Sequence, residues 1–214
     1  MEYGILAYGA YLPRRRLPRR SILEANAWFD ASLRGLGKGE RTMCGWDEDP
    51  VTMAVDAARD ALDGIERNSI GSVLFASTTF PFLDRLNAGV VAGALNLRED
   101  ISAADLGACQ RAATTALAQA LAAGKDTTLV VSAEQRRTKA ASPLELTGGD
   151  GAAAILVGTG RPIARLLSGA SATHDFVDHF RTIESGYDYR WEDRWVREEG
   201  FLKLIRPEIG RAHV

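Results

Sequence analysis

Cys109 is the side chain in this sequence whose setting points most directly to chemistry. It lies in AADLGACQRAATTAL, where a short β-like run from Ile101 to Asp105 meets a turn of small residues and then an Ala-rich helix. Leu117 and Leu121, four residues apart, mark that helix, and Gly124 stands where a terminating glycine belongs. A sulfur at a strand-to-helix junction lies near unpaired backbone N–H groups and the positive end of the helix dipole, both of which favour thiolate over thiol. Gly107 and Ala108 leave it accessible, and neighbouring amides offer a place for an oxyanion. The segment also reads as a buried, inert cysteine packed among alanines.

Other reactive side chains are less well placed. His174 and His179, with Asp175 and Asp178, have H-x4-H spacing, but it is not HExxH and no third ligand completes the pattern. A solvated connecting segment is expected there, and no metal site is assigned. Cys44 and Cys109 lack CxxC spacing and can make neither a disulfide framework nor a cysteine-based metal centre. Arg14, Arg15, Arg16, Arg19 and Arg20 form a basic cluster, read as solvated loop charge or as a contact for the phosphates of a nucleotide-bearing substrate. Tyr187 to Trp195 alternates aromatics with charge, consistent with a half-exposed helix, a partner surface or a lid.

The elements that must position Cys109 follow from periodicity. Gly4 to Tyr11 reads as a first strand ended by Pro13, and Ser21 to Trp28 as a short helix with a Ser21–Glu24 capping box. Gly35, Gly37 and Gly39 mark a flexible loop without GxGxxG spacing. Asp49 and Pro50 suit the N-cap and first position of a helix whose buried face is Val51, Ala54, Val55, Ala58 and Leu62. Ser72–Ser77 and Thr127–Ala133 are continuously apolar, as strands covered on both faces are. Between them lie a loop from Thr78 to Asn87, a helix from Ala88 to Leu95 and the Cys109 segment. A polar loop then leads through Gly149-Asp150-Gly151 to a strand ending at Val157, with Ile163–Leu167 as its hairpin partner. Strands alternating with helices give an α/β fold with a mostly parallel sheet.

Composition sets the bounds. The 214 residues, 46% of them hydrophobic, suffice for one substantial core or two small ones, and a net charge of −2 gives no footprint for nucleic acid. No apolar run approaches bilayer length, and the N-terminus has the reverse order of a secretory signal. A cytoplasmic protein without a membrane span is expected.

Four segments in order resemble landmarks of the thiolase superfamily: GILAYGAYLPRRRL, DEDPVTMAVDAARDAL, ACQRAATTALAQAL and SAEQRRTKAASPLELTGGDGAAAILVG. They look most like the branch holding 3-ketoacyl-ACP synthase III and 3-hydroxy-3-methylglutaryl-CoA synthase, and run from Gly4 to about Arg165. The resemblance implies the N-terminal half of a five-layer αβαβα fold, a homodimer, and condensation of acyl thioesters of CoA or ACP through a cysteine acyl-enzyme. It implies no cofactor beyond the acyl-CoA or acyl-ACP substrate. Cys109 aligns with the nucleophile. Trp28 and Arg41 fall roughly where the synthase III branch contacts the CoA nucleotide, with a packed Trp and a surface Arg as the alternative. The GDGA at Gly149–Ala152 matches a structural signature and is assigned no catalytic role.

Two departures accompany the resemblance. Hydroxymethylglutaryl-CoA synthase carries a Glu acid/base in the loop after the SVLFAS-like strand, where this chain has Thr78, whose hydroxyl cannot take that role. Asp84 is the candidate substitute, with a solvated or capping loop residue as the alternative. The superfamily also draws its catalytic His and its Asn or His partner from a second half. Accordingly, residues 1–171 are expected to form a half-domain and 172–207 a connection toward a missing half, leaving this chain an inactive fragment. Residues 208–214, EIGRAHV, are one translation of a common sequencing adapter and are read as a non-native tail, which removes His213 as a candidate. The alternative function is a non-catalytic thiolase-like scaffold or subunit of a complex.

Overall fold

The computed structural model describes residues 1–211 and divides them into two compact units, one of Met1–Arg136 with Ala141–Arg165, the other of Arg137–Ala140 with the residues from Leu166 onward. The first unit is built on a five-stranded sheet of β1 (Glu2–Tyr11), β4 (Ser72–Ala76), β5 (Ser102–Leu106), β6 (Thr128–Glu134) and β7 (Gly151–Gly160), in the spatial order β1-β7-β6-β4-β5. A separate small sheet pairs β2 (Arg15–Pro18) with β3 (Glu40–Met43). In the large sheet β6, β4 and β5 are parallel, and β7 runs against both β6 and β1.

Helix α2 (Pro50–Ala61) begins where local chemistry requires. The Asp49 carboxylate accepts the Thr52 N–H and the Thr52 hydroxyl oxygen accepts the Asp49 N–H, while Pro50 fills a position that needs no donor. Its buried residues pack with those of α3 (Asn87–Ala94) on one face of the sheet, against Val73, Phe75, Leu129, Val131 and Leu156. On the other face α4 (Ala112–Ala123) lays Ala112, Ala116 and Ala120 over Ala76, Val130 and Val157, with Leu117 and Leu121 half-buried beside them. Strand β4 therefore is covered on both sides, and complete burial of Phe75 contributes roughly 2–3 kcal/mol. The result is a helix–sheet–helix sandwich.

Several expectations are corrected. Ile163–Leu167 is not a strand: β7 continues to Gly160, and the segment beyond it makes a single bridge, Ile5 with Ala164, opposite an irregularity in β1. The antiparallel element is β7 itself, inserted between β1 and β6 rather than hairpinned onto a later strand. The first helix, α1, is Arg19–Asn26 with Pro18 at its N-cap, so Ser21 lies inside it and Glu24 pairs with Arg20 instead of closing a capping box. Arg15 and Arg16 belong to β2 and pair with Met43 and Thr42, not to a loop. Ala31–Leu36 winds into a 3-10 helix that includes Gly35, its start capped by Asp30. The polar loop after β6 contains α5 (Pro143–Thr147), begun by the Ser142 hydroxyl.

The second unit holds a two-stranded hairpin, β8 (His179–Phe180) with β9 (Tyr189–Arg190), followed by helical turns over Asp193–Trp195, Val196–Ile205 and Arg206–Arg211. Its aromatics gather: Phe176 stacks on Trp195 at 4.5 Å, Trp191 lies 5.9 Å from Trp195, and Phe180 lies 5.0 Å from Tyr189. Tyr187–Trp195 thus spans the second hairpin strand and the helix start. Of the tail read as non-native, Glu208–Arg211 is helical, and Ala212, His213 and Val214 lie outside the described residues. Among the described residues no helix is long and apolar enough to cross a membrane.

Candidate active site

Strands β1, β4, β5 and β6 all end on the same side of the sheet, and β7 begins there. In spatial order this rim carries Tyr11, Gly151, Glu134, Ala76 leading into Ser77–Thr79, and Leu106 leading into Gly107–Cys109. From β4 the chain goes to β5 on one side, then returns over the sheet through α4 to β6 on the other. The rim between β4 and β6 is therefore the point where the winding reverses, the place at which α/β sheets open a crevice.

Cys109 is exposed, two residues before the N-cap position of α4, and its carbonyl accepts the Ala112 N–H at 3.1 Å. The residue before it, Ala108, has φ +68°, a left-handed conformation that costs a non-glycine residue about 1–2 kcal/mol. The turn thus presents the sulfur at some expense in backbone strain. Cys44 is its opposite. It is buried, its sulfur lies 3.5 Å from that of Met53, and burial together with the Asp150 carboxylate pushes its thiol up to about 12. Only one of the two cysteines offers a reactive surface.

Thr78 and Thr79 do not sit free at the end of β4. The Glu134 carboxylate accepts the Thr78 N–H at 2.6 Å on one oxygen, and the Thr78 and Thr79 hydroxyls at 2.8 and 3.0 Å on the other. No pattern in the sequence marks Glu134, because its partners lie more than fifty residues away. Farther along this loop Asp105 accepts the backbone N–H groups of Asn87 and Ala88, at 2.8 and 2.7 Å, holding the start of α3. Asp84 takes part in neither arrangement.

Trp28 is 84% exposed, its indole N–H donating to the Ala25 carbonyl. The Arg41 side chain is only 9% exposed. Its guanidinium donates to the Glu145 carbonyl at 2.8 Å and faces Asp150 at 3.9 Å. The tryptophan is thus available at the surface and the arginine is used by the protein itself, the reverse of a packed Trp with a surface Arg. Asp150, from the GDGA segment, also accepts the Cys44 N–H at 2.9 Å, and its carbonyl accepts the Thr42 hydroxyl at 2.6 Å, so it joins the start of β7 to β3. In the second unit His179 Nδ1 lies 2.7 Å from Asp178. Among the described residues no group of three potential metal ligands converges.

No family model matches the chain. The hydroxymethylglutaryl-CoA synthase of Methanocella arvoryzae is 32% identical over 214 residues, 96% of this chain and 60% of that protein. The chain spans about three fifths of the length of the curated relatives it matches. Among solved structures, hydroxymethylglutaryl-CoA synthase complexed with CoA superposes on all of the chain with a TM-score of 0.84 at 19% identity, over 56% of its own length. 3-Oxoacyl-(acyl carrier protein) synthase III from Pseudomonas aeruginosa PAO1 covers 99% of this chain and 70% of its own, with a TM-score of 0.78 at 23% identity. At such identities these two structures speak to the fold, and the sequence relatives to the branch. Over nearly its whole length the chain is similar to the N-terminal portion of hydroxymethylglutaryl-CoA synthases, and it has the thiolase fold of the solved neighbours.

Proposed function

We propose that Cys109 is the acyl-accepting nucleophile of an acyltransferase that condenses acyl thioesters carried by CoA or an acyl-carrier protein. The observation that carries this is the exposed Cys109 on the strained turn between β5 and α4. The Cys109 thiolate attacks the thioester carbonyl, and the tetrahedral intermediate collapses with expulsion of the carrier thiolate. An enzyme thioester of nearly equal energy remains, ready for a second nucleophile. Backbone amides around the turn are proposed as the donors for the oxyanion.

The first unit contains no histidine, so its own side chains support acyl uptake, and the carbon–carbon bond-forming step is proposed for the whole protein. The exposed face of Trp28 is proposed to meet the nucleotide end of the carrier. Arg41, proposed with it, would act by holding the β3 hairpin rather than by touching substrate. A homodimer and a cytoplasmic location, where a free reactive thiol persists, complete the proposal. Incubation with acetyl-CoA followed by proteolysis and mass spectrometry is expected to place one acetyl group on the peptide containing Cys109. Absence of that label, or its survival in Cys109→Ala, overturns the assignment and favours a thiolase-like scaffold without catalysis.

A further inference from the structure

We propose that Glu134 is a positioning residue for Cys109, acting through the Thr78–Thr79 turn; the proposal rests on the acyl-transfer role of Cys109. The geometry runs in unbroken steps across the rim. Glu134 ends β6 and takes three donors from the loop that leaves β4, one on Oε1 and two on Oε2. The Thr79 hydroxyl oxygen accepts the Gln135 N–H at 3.0 Å, so its proton is directed to Glu134 and the loop is pinned to β6 at two successive residues. The same loop forms the surface on which the Cys109 turn rests. A Cβ on Gly107 would stand 3.3 Å from the Phe80 ring and 3.4 Å from the Ser77 carbonyl oxygen. Phe80 is itself fixed edge-on against the core residue Phe75, with ring centres 5.1 Å apart. The Ser77 N–H meanwhile donates to the Leu106 carbonyl at 3.1 Å, extending the β4–β5 pairing up to Gly107.

The Gly107–Cys109 turn therefore contacts no part of Glu134 in this chain of steps, yet its supporting surface is held by that carboxylate. Because Ala108 is strained, the turn relaxes when its support loosens, and Cys109 leaves the position proposed for its attack on the thioester. A glutamine cannot substitute. Its amide has one acceptor oxygen, so whichever way it turns, either the Thr78 N–H or the two hydroxyls face an NH₂ group that cannot accept from them.

The experiment compares Glu134→Gln, Thr79→Val, the double variant and Thr79→Ser in the full chain. It follows acetyl uptake from acetyl-CoA and iodoacetamide alkylation, both read on the Cys109 peptide by mass spectrometry. Glu134→Gln and Thr79→Val are each expected to lower the maximal acetylation rate about tenfold, with half-saturating acetyl-CoA changed less than twofold. The double variant should be no slower than the worse single one, and Thr79→Ser should recover the rate lost in Thr79→Val. Single variants within twofold of the unaltered protein, losses that multiply in the double variant, or a loss that coincides with exposure of buried Cys44 to the reagent would each overturn the proposal. If the unaltered protein takes up no acetyl group, the acyl-transfer role fails, and alkylation of Cys109 decides the positioning role. A change of at least threefold in Glu134→Gln, not enlarged in the double variant, supports it, and an unchanged rate overturns it.

Discussion

Replacing Asp150 with alanine should open the region around β3 without disturbing the exposure of Cys109. The Asp150 carboxylate accepts the buried Cys44 N–H at 2.9 Å and faces the nearly buried Arg41 at a looser 3.9 Å. Stranding a buried N–H costs about 1–3 kcal/mol, and leaving Arg41 without this carboxylate adds to that, so a loss of about 2–3 kcal/mol is expected. Cys44 is a built-in reporter. Its thiol is buried and its pKa raised to about 12, so it reacts with a disulfide reagent only when this region opens. At 1.36 kcal/mol per factor of ten, Asp150→Ala should speed Cys44 labelling about 30- to 150-fold, while exposed Cys109 reacts at once in both proteins. Asp150→Asn keeps an oxygen for the Cys44 N–H and should cost about 1 kcal/mol, roughly fivefold. A rate within threefold of the unaltered protein for Asp150→Ala, or equal damage from Asn and Ala, would refute the reasoning.

Two other changes test the packing and the electrostatics of the first unit. Gly9→Ala should cost about 2–3 kcal/mol in urea unfolding, because its Cβ would lie 2.2 Å from the Ala61 nitrogen and 2.5 Å from the Ala57 carbonyl oxygen, forcing α2 off the sheet; a loss below about 0.5 kcal/mol would contradict this. The Tyr11 hydroxyl donates to Glu48, and that bond, burial and the nearby negative charge raise the phenol from 10.0 to about 12. Between these values the unfolded chain releases a proton that the folded one keeps, so stability should fall as pH rises through that window. Tyr11→Phe should remove this part of the decline in the urea midpoint, and an identical decline in the variant would count against the assignment.

What can be read from the sequence is what neighbouring residues decide among themselves. Asp49, Pro50 and Thr52 determine the start of α2 within four residues, and the small-residue turn before α4 places Cys109 at a strand-to-helix junction. The β2–β3 hairpin is illegible because an Arg-rich strand carries no apolar alternation and its partner begins more than twenty residues later. Ile163–Leu167 has strand-like composition, but β1 already pairs with β7 along that edge, leaving it one bridge. The true start of α1 is masked because Pro18 holds the N-cap without a side-chain bond, while Ser21 and Glu24 only imitate a capping box. At the candidate site the thiol is visible in the sequence, and the carboxylate that ties the exit loop of β4 to β6 is not. Glu134 is an ordinary acid at the end of an apolar strand until β4 is laid next to β6.

That juxtaposition explains why a threonine can stand after β4 without leaving the rim devoid of acid. Parallel pairing of β6 with β4 puts Glu134 just past Ser132, the residue opposite Ala76, so its side chain meets residues of β4's exit loop, Thr78 and Thr79. Antiparallel pairing with β7 sets Gly151 opposite Glu134, and Asp150 immediately before it turns the other way, toward Cys44 and Arg41. Two carboxylates from adjacent strands thus diverge, one toward the β3 hairpin and one toward the loop beneath Cys109. Each is taken up by donors on a neighbouring segment, which keeps these charges paired at the rim. The exposed thiol on its strained turn is the group in this row to which the proposed acyl transfer is assigned.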